Sequence, residues 1–171
     1  MQQAQYELLH FKRNGPFPNN ERLPLILYTL SDIDGVAALE ELFTRNGWFP
    51  AWRYGVFPYH HYHSTAHEVL GCYSGEANIQ FGGPESRTLQ LRSGMVVLIP
   101  AGVAHCDRGS SHDFACVGAY PNEQQWDILR GKPGELQDAL ANIEAVELPL
   151  LDPVMGGAAP GGKDWPLFSS R

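Results

Sequence analysis

The sequence has three cysteines, no run of basic residues and no apolar stretch long enough to cross a bilayer. Each shortage removes a class of function. Cys72, Cys106 and Cys116 contain no Cys-x-x-Cys pair and leave an odd thiol, which argues against a disulfide framework and fits a reducing cytoplasm. Lysine and arginine number 12 against 19 acidic residues, for a net charge of −7. No basic patch results, so neither a nucleic acid nor an anionic membrane is expected as a partner. The longest apolar run, Met95–Ala104, is short and is broken by Pro100. Met1–Asn14 shows no apolar core and no small-residue cleavage site, so no signal peptide is expected and the protein is read as cytoplasmic. Charged residues make up only 18 %, too few for a disordered chain.

What the chain does have is turn chemistry. Eighteen glycines and 13 prolines are spread over 171 residues, the length of one domain with one sizeable core. Leu23–Leu30 reads as a buried strand, with Pro24 tolerated near its start. Ser31–Gly47 reads as a helix: Ser31 and Asp34 suggest a capping box, Val36, Leu39, Leu42 and Phe43 form an apolar stripe, and Asn46-Gly47 is a stop signal. From Ala51 to Pro121 the texture changes to short strands, predicted at Trp52–Phe57, Glu68–Tyr73, Ala77–Phe81, Thr88–Arg92, Val96–Pro100 and Phe114–Ala119. Ser74-Gly75, Gly82-Gly83-Pro84, Ser93-Gly94 and Arg108-Gly109 supply the turns between them. Six strands so closely spaced predict an antiparallel sandwich or barrel. Beyond it, Trp126–Leu129 reads as a helical turn and Glu135–Ile143 as a short helix. Residues 149–171 read as an irregular tail anchored by Val154, Trp165 and Phe168. The whole chain, 1–171, is thus expected to be one domain: strand and helix 23–47, core 51–121 and C-terminal extension 122–171.

The chemistry concentrates in Tyr59-His60-His61-Tyr62-His63-Ser64-Thr65-Ala66-His67-Glu68 and in Pro100-Ala101-Gly102-Val103-Ala104-His105. In extended chain His61 and His63 share a face with Cα atoms about 6.6 Å apart, close enough for two imidazoles to meet one ion. Glu68 can return to the same point from the next strand, and His105 can complete three nitrogens and one carboxylate. Such a set suits one divalent transition metal, Fe, Mn, Ni, Co or Zn, and leaves coordination positions open. His67 competes with Glu68 for the fourth place. Alternation puts the two on opposite faces, so only one points inward.

The spacing extends beyond the ligand candidates. It reads Gly55-x5-His61-Tyr62-His63-x4-Glu68-x6-Gly75 and then Gly94-x5-Pro100-Ala101-Gly102-x2-His105. These stretches resemble the two motifs of the cupin superfamily, with Gly109 standing where the second motif has Asn. The segments HHYHSTAHEVLG, IPAGVAH and VGAYP further resemble the YjlB-type cupins over most of the chain. The resemblance implies an all-β double-stranded β-helix, a jelly-roll-like barrel, with a short N-terminal helix and an irregular C-terminal extension. It implies metal ligation by His61, His63, Glu68 and His105, and it favours Glu68 over His67 through the gap to Gly75. His67 is then expected at the rim or surface, and His60, opposite His61, as a hydrogen-bonded wall residue. With Glu68 inward, Leu70 and Cys72 follow it, while Arg53, Tyr59 and Gln80 are candidate polar pocket residues. Cys106 and Cys116 read as small buried hydrophobes.

Functionally the resemblance implies a metal-dependent enzyme acting on a small-molecule substrate, as an Fe(II) dioxygenase or a metal-assisted isomerase or lyase, with Glu68 or bound water moving a proton. The alternative is a non-catalytic protein whose metal anchors a ligand such as a sugar or organic acid; a purely structural metal fits least, since it is usually enclosed by four ligands rich in Cys. An unpaired strand edge needs cover, so a homodimer is expected.

Overall fold

Residues 4–122, 124–157 and 165 are described in the structure, a computed structural model. Along them run β1 (Ala4–Phe11), β2 (Asn20–Leu30), α1 (Gly35–Arg45), β3 (Trp48–Tyr54), β4 (Glu68–Ser74), β5 (Glu76–Phe81), β6 (Arg87–Arg92), β7 (Met95–Ile99), β8 (His105–Ser110), β9 (Ala115–Pro121) and α2 (Leu136–Ala145). The strands form a six-stranded sheet in the order β1-β2-β7-β4-β9-β3 and a three-stranded sheet in the order β6-β5-β8, with every pairing antiparallel.

The two sheets face each other across an apolar interior. Leu25, Leu70 and Val97 from the larger sheet pack with Ile79, Phe81 and Leu91 from the smaller one. The opposite face of the larger sheet is covered as well: Ile26, Val69, Val96 and Val117 pack under Leu39, Leu42 and Phe43 of α1. A sheet buried on both faces needs apolar residues at consecutive positions. That is why β2 and β7 read as continuous hydrophobic runs while β5 and β6 alternate.

Several boundaries differ from expectation. The helix starts at Gly35, and Ser31 bonds Asp32 instead of capping it; Asp34 holds the N-cap position with no side-chain bond. β3 begins four residues before the predicted Trp52. It is an edge strand that shifts register between Pro50 and Trp52, where a missing N–H is tolerated. Two strands are new. β1 is a half-exposed edge strand whose only buried side chains are Leu9 and Phe11. β8 carries Asp107, Arg108 and Gly109, poor strand formers, and Gly109 lies within the strand, where its N–H donates to Asp107 Oδ1 at 2.7 Å. Trp126–Leu129 is not a helical turn; it is extended chain running beside Tyr62–Thr65.

Described residues of the tail pack under α1 and β2. Val154 and Trp165 are buried there as expected, while Phe168 lies outside the described residues. Trp165 donates its indole N–H to Pro24 O at 2.9 Å, and Trp48 donates to Leu151 O at 2.9 Å. Asp152 is fully buried. Its Oδ1 accepts the N–H groups of Val154 and Met155, and its Oδ2 accepts the Tyr28 hydroxyl. Burial raises the Asp152 pKa, against the pull of those donors.

A folded-state pKa above the ordinary value of about 3.9 means that folding favours the protonated acid. Stability is therefore greatest below that value and declines as pH rises through the folded-state pKa. Asp152→Asn keeps an acceptor for Val154 and Met155 and removes the titration. Urea unfolding is expected to show the wild type losing stability relative to this variant as pH is raised from about 4 towards neutrality. Parallel curves contradict the assignment.

Candidate metal centre

His61 and His63 lie in the segment between β3 and β4, Glu68 opens β4, and His105 opens β8. Main-chain pairing brings these distant segments together. His61 N–H donates to His105 O at 3.2 Å, and His105 N–H returns to His61 O at 2.9 Å. Gly102 N–H donates to His63 O at 2.8 Å from a turn closed by Val103 N–H to Pro100 O. Gly102 has φ +97°, and a Cβ there would stand 2.4 Å from Asn19 O, so this turn needs glycine twice over.

All four side chains are buried, Glu68 being 1 % exposed and His63, the most exposed, 6 %. One nitrogen from each of His61, His63 and His105 falls within 4.8 Å of the others. His63 Nε2 lies 3.2 Å from Glu68 Oε2, and His105 Nε2 lies 3.4 Å from Glu68 Oε1.

The second ring nitrogens fix what the first can do. Nδ1 of His61 meets Tyr59 O at 3.0 Å, Nδ1 of His105 meets Val103 O at 3.0 Å, and Nδ1 of His63 meets Asp127 O. A carbonyl oxygen only accepts, so each Nδ1 carries the proton, and in the neutral ring each Nε2 is left as a lone pair. Burial, followed by the nearby His105, pushes His61 down to about 2, so it is a neutral ligand. Burial also opposes charge on His63, but the Glu68 carboxylate outweighs it and raises His63. Burial pushes Glu68 the other way, yet His63 and His105 hold it well below the usual carboxylate range. With the rings neutral, three Nε2 lone pairs and a carboxylate face one another, and a positive charge between them would offset their repulsion. A divalent cation fits this donor set.

Two residues that the sequence reading missed support the cluster. Tyr120, on β9, donates its hydroxyl to Glu68 Oε2 and accepts Trp52 Nε1–H at 2.8 Å. Burial and the adjacent carboxylate push its phenol far up, so the proton stays on Tyr120. Asp127 holds the His63 ring through its main-chain carbonyl, and its carboxylate accepts Ser64 N–H at 2.6 Å and the Ser64 hydroxyl. Tyr62 and Leu129 exchange N–H···O bonds at 2.9 Å, and Thr65 donates to Gln125 O. Residues 125–129 therefore form a strap along the histidine segment. Nothing in the local sequence around Asp127 signals a partner more than sixty residues away.

Other expectations divide. Leu70 and Cys72 do follow Glu68 to the interior face, and all three cysteines are buried and free. Arg53 is not in the pocket; it forms a two-pronged ion pair with Glu40 on the outer surface. Gln80 donates to Ser86 O, and Tyr59 stacks on Phe57 beneath the Arg130 guanidinium. His67 is not at the rim. It is 1 % exposed, its Nδ1 accepts Ala101 N–H at 2.9 Å, and its ring meets the Trp165 indole edge-on. Burial, with the Arg22 charge adding, pushes it down to about 3, so it is neutral. The tail supplies the cover that sequence alternation could not foresee. His60 packs on Phe17, and its buried Nδ1 has no hydrogen-bond partner among the described residues.

A family model described as cupin matches residues 53–130, the stretch that holds all four side chains. The chain is 42 % identical over 155 residues to YjlB of Bacillus subtilis (strain 168), an uncharacterised protein, covering 91 % of this chain and 93 % of that one. The chain belongs to the cupin family. Among solved structures, this cupin resembles the DMSP lyase DddQ of Ruegeria pomeroyi DSS-3 at 18 % identity and TM-score 0.37. That match covers 77 % of this chain but only 53 % of the lyase, about half its length. It also resembles the dTDP-6-deoxy-D-glucose-3,5-epimerase RmlC of Legionella pneumophila Philadelphia 1 at 13 % identity and TM-score 0.36, covering 68 % and 72 % of the two chains. Likenesses this distant do not bear on activity.

Tyr120→Phe keeps the ring and its stack on Trp126 but deletes the hydroxyl that steadies Glu68. Metal affinity measured by competition with a chelator is expected to fall about 10- to 100-fold, with the fold retained. Unchanged affinity contradicts a supporting role for this tyrosine.

Proposed function

We propose that this cupin is a metal-dependent enzyme that acts on a small molecule. The observation that carries the reading is the incomplete ligand shell: His61, His63, His105 and Glu68 converge on one point, and that point borders an open pocket. Structural sites usually enclose the ion with four ligands rich in Cys, whereas sites that work on a substrate keep a position open. No cysteine belongs to this cluster.

The ion would be held by the Nε2 atoms of the three histidines and by Glu68. When bound, it would supply Lewis acidity towards an oxygen of the substrate or, as Fe(II), a site for O2. The chain's own groups set the rest. The Nδ1–H bonds orient the imidazoles before any ligand arrives. Tyr120 keeps its proton directed at Glu68 Oε2, which holds that oxygen in one orientation, while His63 and His105 hold the carboxylate in its charged form. A substrate proton delivered towards Glu68 would meet a group whose basicity is lowered by its neighbours, which suits Glu68 as a ligand and proton relay more than as a strong base. No helix among the described residues is long and apolar enough to cross a membrane.

Two measurements test the reading. His63→Ala and His105→Ala are each expected to abolish stoichiometric metal in elemental analysis while far-UV circular dichroism still reports a folded β-protein. Full metal occupancy in both variants contradicts the ligand set. Oxygen uptake by the Fe(II)-loaded protein over a substrate panel then identifies the dioxygenase branch. Turnover without O2 by the Zn- or Mn-loaded protein identifies the isomerase or lyase branch. Tight ligand binding with no turnover under any of these metals overturns the enzymatic reading in favour of a binding protein.

A further inference from the structure

The pocket in front of the histidines has a volume of about 220 Å³. That is below the usual range for drug-sized ligands. Away from the histidine cluster its wall is almost wholly apolar: Trp52, Val56, Phe57, Leu70, Trp126 and Ile128. Tyr120 and Trp126 stack with ring centroids 4.3 Å apart and planes 4° from parallel, which presents a flat aromatic surface beside Glu68.

Two polar groups of that wall are already engaged. Trp52 Nε1–H is used on Tyr120, and the Tyr120 hydroxyl is used on Glu68. Tyr54 stands at the mouth, 71 % exposed. No lysine or arginine lines the pocket among the described residues. Arg53, next to Trp52 in sequence, faces Glu40, and Arg130, two residues beyond Ile128, sits over the Tyr59 ring with its guanidinium carbon 3.7 Å from the centroid. Apart from the metal ligands, the described side chains leave only the Tyr54 hydroxyl, at the exposed mouth, to match the hydroxyls of a sugar and none to match the charge of a phosphate, and burying such groups unpaired is costly.

We infer that the substrate is a small molecule with one oxygen-bearing head and an apolar, ring-like or branched body, of the class of a compact hydrophobic carboxylic acid. The inference rests on the metal reading above in one respect. With a divalent ion, one carboxylate and three neutral imidazoles, the site carries a residual charge of about +1, which a monoanionic head neutralises. The body lies against Trp126 and Leu70, where burial of apolar surface supplies the affinity. Phosphorylated sugars and nucleotide sugars are excluded by the same wall.

The test compares ligands that share a head and a ring. Cyclohex-1-ene-carboxylate and its trihydroxylated counterpart shikimate are titrated into the zinc-loaded full chain by calorimetry, with glucose 6-phosphate as the phosphorylated probe. The apolar acid is expected to bind at least tenfold more tightly than either. Trp126→Ala, at a half-exposed position outside the metal cluster, is expected to weaken the apolar acid about tenfold and to leave shikimate little changed. Equal or tighter binding of shikimate or glucose 6-phosphate, no binding of the apolar acid, or a Trp126→Ala variant with unchanged affinity overturns the inference. Zinc content measured on the same samples separates the two readings. One zinc per chain with the selectivity reversed removes only the substrate class, whereas no zinc removes the metal centre and this inference together.

Discussion

Three hydrogen bonds from imidazole Nδ1–H groups to main-chain carbonyls are the constraint on which the site depends. Tyr59, Val103 and Asp127 supply the carbonyls. Each bond settles a tautomer, fixes a ring plane and turns a lone pair inward. Because carbonyls are parts of the backbone, ring orientation is inherited from the fold and needs no ligand to induce it. The cost is a cluster of buried acceptors around Glu68, which a cation relieves.

The same economy explains the surrounding architecture. The main-chain exchange between His61 and His105 joins the segment before β4 to the start of β8. The Pro100–Val103 turn fits against Asn19 and holds His63 through its carbonyl. The strap over residues 125–129 then serves twice. Asp127 orients His63 and grips Ser64, while Trp126 and Ile128, alternating along extended chain, reach the pocket wall. Gly118 contributes by what it lacks: a Cβ there would stand 2.2 Å from the Trp52 ring, so only glycine lets that indole lie against β9 and reach Tyr120.

Much of this was legible in the sequence because its signals are local. The His-x-His spacing, the period of two that carries Leu70 and Cys72 inward with Glu68, and the Pro-x-Gly turn before His105 all act over a few residues. What was hidden depends on partners far away. His67 looks like a rim residue until the tail lays Trp165 against it. Tyr120 falls just past the strand predicted at Phe114–Ala119, and only the longer β9, paired with β4, sets it beside Glu68. Trp126–Leu129 carries apolar residues at helix-compatible spacing, yet pairing with Tyr62–Thr65 decides it in favour of extended chain. β8 was hidden for another reason: its Asp, Arg and Gly have poor strand propensity, and the ladder with β5 overrides it. Arg53 reads as a pocket cation by residue type alone, but alternation along β3 sends Trp52 and Tyr54 to the pocket and Arg53 to Glu40.

X-ray absorption at the metal edge of protein purified without added metal bears most directly on the central claim. The spectrum is expected to show three imidazole nitrogens at about 2.1 Å, with their outer-ring multiple-scattering signature, plus oxygen donors. A first shell with one imidazole or none, or one containing sulfur, would mean that the three oriented rings are not what holds the ion.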